Sequence, residues 1–501
     1  MVFSSLEFIY LFLPPVLGIF LLLRWLRMEN AIIWWLIAAS LAFYCWWSPL
    51  HLLLLLGSVG ANYALHRVLI RRRSRALLVV GIVGNLALLA WFKYADFLIG
   101  NIAAAFGGSH EALGVVLPLA ISFFTFQQIS FLLDTWRGQL EECDFKRYVL
   151  FVTFFPQLIA GPIVLQKDTI PQFQLSNFVS RTGLNLLVGA ALFCIGLFKK
   201  IVLADGIAPF ANAAFAAADG GQTLAMDAAW IGALAYTFQI YFDFSGYCDM
   251  ALGLARMFGI KLPINFNSPY KALSISDFWR RWHITLSRFL RDYLYIALGG
   301  NRSGILGRHG NLLATMLLGG LWHGAGWNFV IWGGLHGSYL VINHFWRDLK
   351  GRYQLLAIVP TPIAMIGSWF LTMLAVVIAW VFFRAETFGG AVAMLHAMFV
   401  PSQSPLVVES VVLFSDAAFA VFAIAIMWII VTAMPNSIEI TRRYRPVIDT
   451  AKELSNSFGQ RAALLWTPRP AWSVAMSAVA VVALIQLYRL NDMTEFIYFN
   501  F

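Results

Sequence analysis

One histidine of the sequence lies among apolar residues and glycines, where its ring could perform acid–base chemistry. His323 follows a tryptophan and precedes a glycine in the stretch GGLWHGAGWNF, residues 319–329. Burial in such a setting disfavours the charged imidazolium form. A neutral imidazole can take a proton from a hydroxyl or a thiol. The alternative is a core histidine whose ring is bonded to a neighbouring carbonyl, and the surrounding fold must decide between the two.

A second group of chemistry-bearing residues lies between positions 274 and 298. Ser274 and Asp277 have the spacing of a capping box, which predicts that a helix begins here. At about 100° per residue, one face of this helix is cationic and the opposite face is aromatic and aliphatic. The cationic residues are Arg280, Arg281, Arg288 and Arg291. His283 falls at the border between the two faces and could reach a buried reaction centre.

Such an amphipathic helix is predicted to lie in the membrane interface. Its arginines then have two possible roles. They could anchor the helix to lipid headgroups, or they could hold an anionic acyl donor such as the phosphates of coenzyme A. No two histidines have the i, i+4 spacing of a metal site and no nearby carboxylate completes one, so no metal is predicted.

Two carboxylates lie in the apolar run YFDFSGYCDM, residues 241–250. Asp243 and Asp249 are six residues apart, about 240° around a helix, so they do not share a face. Carboxylates inside a membrane suggest function, but a polar network that supports the site is favoured over direct chemistry. Arg256 could neutralise Asp249 across two turns. The other predicted supporting residues are Ser245, Trp322, Asn328 and His336.

The composition places all of these residues in a membrane protein. Of the 501 residues, 60% are hydrophobic and 12% are charged, whereas a soluble domain carries roughly 25% charged residues. A water-soluble fold could not hide so much apolar surface. The net charge of +10 is typical of cytoplasmic loops that face anionic lipid. No nucleic-acid-binding pattern is present, and nucleic acid is not an expected partner.

The apolar runs predict about 11 to 13 membrane helices in a single domain over residues 1–501. They lie near 8–23, 31–47, 50–66, 76–92, 115–134, 148–165, 184–203, 228–258, 312–343, 363–383, 406–434 and 471–488. Lysines and arginines concentrate in the loops that follow the first and third runs and in the last long loop. These loops are predicted to be cytoplasmic, which puts both termini outside.

The run at 312–343 is too long for one crossing and is interrupted near its middle. Only 12 residues separate Asn311 from Trp322 inclusively, about 18 Å of helix, whereas a crossing needs about 30 Å. Gly324 and Gly326 then break the pattern. We therefore expect a hairpin or a broken helix pair, with His323 at its deep end. Irregular backbone at that depth must be packed in protein or line a cavity, which favours a functional histidine.

Several long strings of residues resemble the membrane-bound O-acyltransferases, in particular the bacterial branch that O-acetylates exopolysaccharides such as alginate. They are MVFSS at the start, FFPQLIAGPI (154–163), GLFKKIVLAD (196–205), YFDFSGYCDMALG (241–253), LPINFNSPY (262–270), DFWRRWHITLSRFLRDYLYIALGG (277–300), LLGGLWHGAGW (317–327) and the terminal FIYFNF. His323 falls on the catalytic histidine of that family, and His283 on its second characteristic histidine.

This resemblance implies an all-α polytopic fold, a ring of helices around a thinned centre with a tunnel from cytoplasm to periplasm. It implies acetyl-coenzyme A as the donor substrate, with no permanently bound cofactor. It also implies a periplasmic acetyltransferase as acceptor protein, and a location in the bacterial inner membrane among lipid. The alternatives are transfer of a D-alanyl or longer acyl group to another envelope glycan, or a scaffold that exports acyl groups without catalysis.

The predicted periplasmic tail, residues 489–501, carries four aromatic residues among its last six positions. One interpretation is an aromatic belt at the outer membrane interface. The other is a docking edge for the acceptor protein, or a plug at the periplasmic mouth of the tunnel, since aromatic side chains dominate interface hot spots.

Overall fold

The computed structural model describes residues 1–140, 142–302, 304–353, 361–401, 414–448, 465–489 and 496–497. Every regular element within these ranges is helical, which confirms the predicted all-α class. Most residues of the tail, and residues 449–464 of the last long loop, lie outside the described ranges.

The helices of the first half are α1 Leu13–Trp25, α2 Glu29–Cys45, α3 Pro49–Arg72, α4 Arg75–Leu89, α5 Ala95–Ala105, α6 Ile121–Trp136, α7 Phe145–Thr153, α8 Phe155–Leu158, α9 Gln166–Thr169, α10 Leu175–Val179, α11 Thr182–Phe198 and α12 Asp205–Asp219. Those of the second half are α13 Met226–Met257, α14 Ile275–Arg281, α15 Ile284–Phe289, α16 Gly304–His323, α17 Trp327–Tyr353, α18 Thr361–Arg384, α19 Phe388–Phe399, α20 Phe414–Ala433, α21 Ser437–Thr441 and α22 Pro470–Arg489. Short π-helical turns, Glu7–Phe12, Ala90–Tyr94, Lys199–Ala204 and Leu290–Tyr295, continue or join several of these helices.

Among the described residues, six helical segments are long and apolar enough to cross a membrane. A seventh is the bent pair formed by α20 and α21 with the turn that follows them. The stretch 148–165, predicted as one crossing, is instead the end of α7, the short α8 and irregular chain. Pro156 explains this break, because its ring nitrogen cannot donate the hydrogen bond that would continue α7.

The longest helix, α13, runs through the centre of the protein, and its residues from Ala235 to Met257 are buried. Helix α11 packs directly on its backbone. At both Gly196 and Gly189 of α11, a Cβ atom would collide with backbone atoms of α13. Only glycine permits this close approach, which explains why small residues occur where α11 and α13 meet.

The broken pair predicted at 312–343 consists of helices α16 and α17. Together they extend beyond the apolar run, since α16 begins at residue 304 and α17 ends at residue 353. They run antiparallel, and their backbones touch where Gly320 faces Gly333 and the carbonyl of Phe329. The ring of Phe329 fills the space that a side chain at Gly324 would need. His323 is the last residue of α16, at the closed end of this hairpin.

The prediction of one continuous amphipathic helix over 274–298 is wrong. Ser274 does cap α14 by accepting a hydrogen bond from the Asp277 amide, at 3.1 Å. However, Trp282 is extended and His283 has a left-handed backbone with φ of 42°, so α14 and α15 do not share one helical wheel. The chain turns here because residues 265–267 pair with the 281–284 backbone.

The apolar side of this segment faces protein, which contradicts its predicted position against lipid. Phe278, Trp282 and Leu286 are at most 1% exposed. The ring of Trp282 packs 4.9 Å from that of Trp380 on α18. The segment is thus part of the core up to Leu290, whereas Arg280, Arg291 and the apolar end at Ile296 and Leu298 are exposed.

Candidate active site

Three buried histidines converge on the closed end of the α16–α17 hairpin. His283 and His336 are fully buried, and His323 is 3% exposed. The ring centroids of His283 and His323 are 6.4 Å apart, although His283 lies in the turn between α14 and α15 and His323 ends α16. The two histidines singled out from the sequence therefore form a pair that one small reacting group could contact from both sides.

The backbone around His323 is held by a lysine from a distant helix. Lys93 Nζ donates to the carbonyl oxygens of Trp322, at 2.6 Å, and of His323, at 3.1 Å. The neighbouring Tyr94 hydroxyl donates to the Leu321 carbonyl at 2.9 Å. The last carbonyls of a helix have no partner within the helix and carry partial negative charge. The ammonium group and the phenol satisfy them and fix the position of His323.

An aromatic wall surrounds the imidazole of His323. The rings of Trp332 and Phe383 lie 5.0 and 5.2 Å from it, nearly perpendicular to its plane. Trp322 is 5% exposed and stacks on Phe126 at 5.2 Å. These rings exclude water from the imidazole and limit its rotation.

His336 lies one turn after Trp332 on α17 and packs against the same aromatic wall. Its Nδ1 accepts a hydrogen bond from the indole of Trp279 at 3.2 Å. The ring of Trp332 lies between it and His323, with centroid distances of 4.9 and 5.0 Å. His336 therefore packs against the residues that shape the site and does not face His323 directly.

The two carboxylates of α13 are paired with two adjacent lysines. Asp243 lies 2.8 Å from Lys200 Nζ, and Asp249 lies 2.6 Å from Lys199 Nζ. Asp249 also accepts a hydrogen bond from Ser437 at 2.7 Å. The predicted neutralisation of Asp249 by Arg256 is wrong, because the Arg256 guanidinium bonds the Tyr444 carbonyl at 3.4 Å. A lysine on the facing helix meets the carboxylate at closer range.

The remaining predicted residues lie at the edge of the histidine pair. Asn328 donates from its side chain to the Ala385 carbonyl at 2.8 Å and holds the start of α17 against the end of α18. Ser245 is buried beside Cys248 and Asp249 in a small space below the carboxylates. Both residues therefore act as supports of the wall around the histidine pair.

A cavity of about 630 Å³, which we call the arginine cavity, opens beside the α14–α15 turn. Its walls include Ile284, next to His283, and Leu312 and His344 from the open end of the hairpin. All four arginines predicted from the sequence line it, namely Arg280, Arg281, Arg288 and Arg291. Arg281 is steadied by Asp277 at 3.0 Å. The break between α14 and α15 thus gathers the arginines around one space.

A second cavity, of about 730 Å³, opens at the closed end of the hairpin, and we call it the loop cavity. It is lined by residues 325–329, by Phe383 and Arg384, and by Asn212, Tyr236 and Gln239. Leu312 of the arginine cavity precedes His323 by 11 residues, about 16 Å of helix, whereas Ala325 of the loop cavity follows His323 by two residues. The histidine pair lies between them.

The tail reaches the interior at the two positions that the structure describes. Phe496 is 2% exposed, and its ring lies 4.6 Å from that of Tyr247. The Ile497 amide donates to Asp243 at 2.9 Å, and Ile497 lines the loop cavity. An aromatic belt or an exposed docking edge is therefore wrong for Phe496. The rest of the tail prediction lies outside the described residues.

A protein-family model matches residues 137–383, which include the three buried histidines and the four arginines of the arginine cavity, and its description is the membrane-bound O-acyltransferase family. A peptidoglycan O-acetyltransferase of Helicobacter pylori is 43% identical over 428 residues, 79% of this chain and 80% of that protein. The chain belongs to the membrane-bound O-acyltransferase family. The resemblance seen in the sequence is thereby confirmed.

Two further relatives show the range of chemistry among similar acyltransferases. A probable alginate O-acetylase of Pseudomonas aeruginosa is 43% identical over 409 residues, 80% of this chain and 75% of that protein. A teichoic acid D-alanyltransferase of Streptococcus thermophilus is 30% identical over 242 residues, 46% of this chain and 58% of that protein. All three relatives are named for acyl transfer to a cell-envelope or extracellular polymer. The present chain is a multi-span O-acyltransferase.

Sequence reasoning missed two residues of this acyltransferase that touch the histidine pair. Lys93 directly follows the apolar run predicted at 76–92, and a lysine so close to a membrane span is itself a signal of function. Asn265 belongs to the quoted string LPINFNSPY, and its side-chain oxygen lies 3.1 Å from His283 Nδ1. No local pattern joins either residue to a histidine, because both contacts are made across the fold.

Proposed function

We propose that this O-acyltransferase moves an acetyl group from cytoplasmic acetyl-coenzyme A to a periplasmic acceptor protein, for O-acetylation of an exopolysaccharide such as alginate. The observation that carries the proposal is the histidine pair between two cavities at opposite ends of one helix hairpin. An acetyl group needs only a narrow path between them, whereas coenzyme A is too large and too charged to cross.

The arginine cavity is the donor side. Four guanidinium groups around one space suit a ligand with several phosphates, since guanidinium binds phosphate through paired hydrogen bonds. Ile284 lines this cavity and follows His283 directly. A donor whose phosphates bind the arginines can therefore point its thioester toward the pair.

In the proposed reaction His323 is the general base. It takes the proton of the acceptor hydroxyl while the hydroxyl oxygen forms a bond to the thioester carbonyl carbon. The carbon–sulfur bond then breaks, and the imidazolium returns the proton to the departing thiolate. The products are an acetyl ester and free coenzyme A. A variant route, in which His323 carries the acetyl group between two such steps, uses the same ring.

The loop cavity is the acceptor side. It begins at the residues that follow His323 and is lined by amide, phenol and guanidinium groups that can bind a polar acceptor. We propose that the acceptor hydroxyl is a serine of a periplasmic acetyltransferase, which passes the group to the polysaccharide. This assignment places the protein in the bacterial inner membrane, with both termini periplasmic.

The relatives support acetyl as the group and an envelope glycan as its destination. The Helicobacter relative makes peptidoglycan the second candidate glycan, and the Streptococcus relative makes D-alanyl the second candidate group. The deciding experiment is reconstitution in vesicles with labelled acetyl-coenzyme A outside and candidate periplasmic partners inside. Label on the internal partner is the expected result. The proposal would be overturned if the label stayed on acetyl-coenzyme A while a D-alanyl donor was active.

The arginine cavity yields a prediction about donor affinity. Changing Arg280 to alanine should raise KM for acetyl-coenzyme A about tenfold and leave kcat within about twofold, because phosphate contacts stabilise ground state and transition state alike. Initial rates in detergent over a range of donor concentrations test this, since headgroup anchoring does not operate there. Arg352→Ala, on an exposed end of α17 away from the cavity, is the matched control. An unchanged KM would return Arg280 to a lipid-binding role.

The buried end of the tail yields a prediction about the acceptor side. Deleting residues 496–501 should weaken acceptor-protein binding and lower acetyl relay about tenfold. Ile497 lines the loop cavity, and its neighbour Phe496 packs on the ring of Tyr247. Donor binding at the arginine cavity should be unchanged, as equilibrium binding of labelled coenzyme A would show. A truncated protein that copurifies with its partner and acetylates it at the normal rate would contradict the assignment.

A further inference from the structure

We propose that Asn265 is a positioning residue that sets the tautomer of His283, so that Nδ1 carries the proton and Nε2 carries the lone pair. The inference rests on the proposed function, in which the donor thioester points toward the pair formed by His283 and His323. It follows from a hydrogen-bond chain in which the direction of each bond is determined by the one before it.

The chain begins at a backbone amide. The Ile163 N–H, in the irregular segment after α8, donates to Thr285 Oγ1 at 3.0 Å. Thr285 Oγ1 lies 2.9 Å from Asn265 Oδ1. Since a hydroxyl has only one proton and its lone pair here faces Ile163, Thr285 donates that proton to Asn265.

The backbone amide of Thr285 independently fixes the orientation of the Asn265 side-chain amide. The Thr285 backbone N–H also points at Asn265 Oδ1, at 3.3 Å. A flipped amide would turn its NH₂ group toward this donor, whereas the observed orientation lets that group donate to Cys248 Sγ at 3.3 Å. The oxygen of Asn265 therefore faces His283 and Thr285.

An acceptor oxygen 3.1 Å from His283 Nδ1 requires a proton on that nitrogen. In the neutral ring Nε2 is then the acceptor. This is the form that can hold a hydroxyl by its proton or take that proton. The opposite tautomer would present an N–H group to the reactants and could not act as a base.

The backbone geometry of this corner supports a role beyond packing. His283 has φ of 42°, a left-handed conformation that a residue with a side chain rarely adopts. It is held there by the pairing of the Ile284 amide with the Asn265 carbonyl at 3.0 Å. The buried Asn265 thus holds this corner twice, because its carbonyl bonds Ile284 and its side chain bonds His283. Strain of this kind persists where the surrounding contacts enforce it.

The test reads the tautomer directly. In protein labelled with ¹⁵N and ¹³C histidine, solid-state NMR distinguishes Nδ1–H from Nε2–H rings, and a His283→Gln sample identifies the signal of His283. The wild-type signal should be Nδ1–H. Asn265→Leu, which keeps the size but removes the acceptor, should shift it to Nε2–H or to a mixture. Asn265→Asp keeps an acceptor oxygen and should retain the Nδ1–H form.

Activity should follow the tautomer. Asn265→Leu should lower kcat about 10- to 100-fold with little change in KM for acetyl-coenzyme A, as when other outer residues that orient a histidine are lost. Asn265→Asp should stay within about fivefold of wild type. The matched control is Cys248→Ala, which removes the partner of the other side of the amide and should leave tautomer and kcat nearly unchanged.

Two results would overturn the inference. One is a wild-type His283 signal of the Nε2–H form, which needs no variant to fold. The other is an Asn265→Leu protein whose signal stays Nδ1–H. Failure of the proposed function would look different. The His283 tautomer would still respond to Asn265, but the protein would transfer no acetyl group from coenzyme A.

Discussion

Replacing His323 with alanine should abolish acetyl transfer while the protein still inserts and purifies normally. General-base catalysis by a positioned histidine contributes about 10²- to 10⁴-fold to rate, and the aromatic wall leaves water little access to substitute for the missing ring. Transfer of label from acetyl-coenzyme A to an acceptor in reconstituted vesicles is the measurement. Because the change removes a ring at the end of α16 and not the Lys93 contacts to its backbone carbonyls, the hairpin should keep its fold.

The matched control for this variant is His309→Ala, on the same helix but near its open end and outside the site. It should keep wild-type turnover. Substantial product from a folded His323→Ala protein would contradict the catalytic role of His323. It would favour a scaffold or exporter that moves acyl groups without covalent chemistry.

Replacing Lys93 with methionine should lower turnover by more than about 100-fold. Methionine keeps the length and apolar character of the side chain but leaves the Trp322 and His323 carbonyls without this donor. A hydrogen bond contributes about 0.5–1.5 kcal/mol, and a misplacement of about 1 Å can cost 10²-fold in rate. Vesicle assays of initial rate, with thermal unfolding of the detergent-solubilised protein measured alongside, test the prediction.

Two further variants separate positioning by Lys93 from its contribution to the fold. Tyr94→Phe removes one neutral donor, to the Leu321 carbonyl, and should cost about tenfold or less. Lys167→Met, at an exposed position outside the site, should be neutral. A Lys93→Met protein with wild-type turnover would show that the end of α16 is held adequately by packing alone. A proportional loss of folded protein and activity would assign Lys93 to stability only.

The sequence alone placed the protein in a membrane and singled out His323 as a candidate catalytic residue. The apolar content excludes a soluble fold, and the glycines around His323 interrupt an apolar run that is otherwise long enough for a hairpin. Both signals are local, since they depend on the solvation of neighbouring residues and on the absence of a side chain at glycine. The capping of α14 by Ser274 is local for the same reason, and it was predicted to the residue.

Prediction from periodicity failed where the backbone is set by a distant segment. The amphipathic pattern of 274–298 assumed one continuous helix, yet the pairing of residues 265–267 with 281–284 forces a turn at His283. The same turn buries Trp282 and directs the four arginines into one cavity. A helical wheel includes none of these contacts, so it assigned the apolar side to lipid.

The partners of the charged residues were decided only by the tertiary structure. Asp249 was assigned to Arg256 on its own helix, but Lys199 lies closer in space, on the facing segment. Lys93 bonds the His323 carbonyl across 230 residues of sequence. In a low-dielectric interior a charge must find a partner wherever the packing brings one. The sequence therefore determines that such residues need partners, while the packing of the helices determines which partners they have.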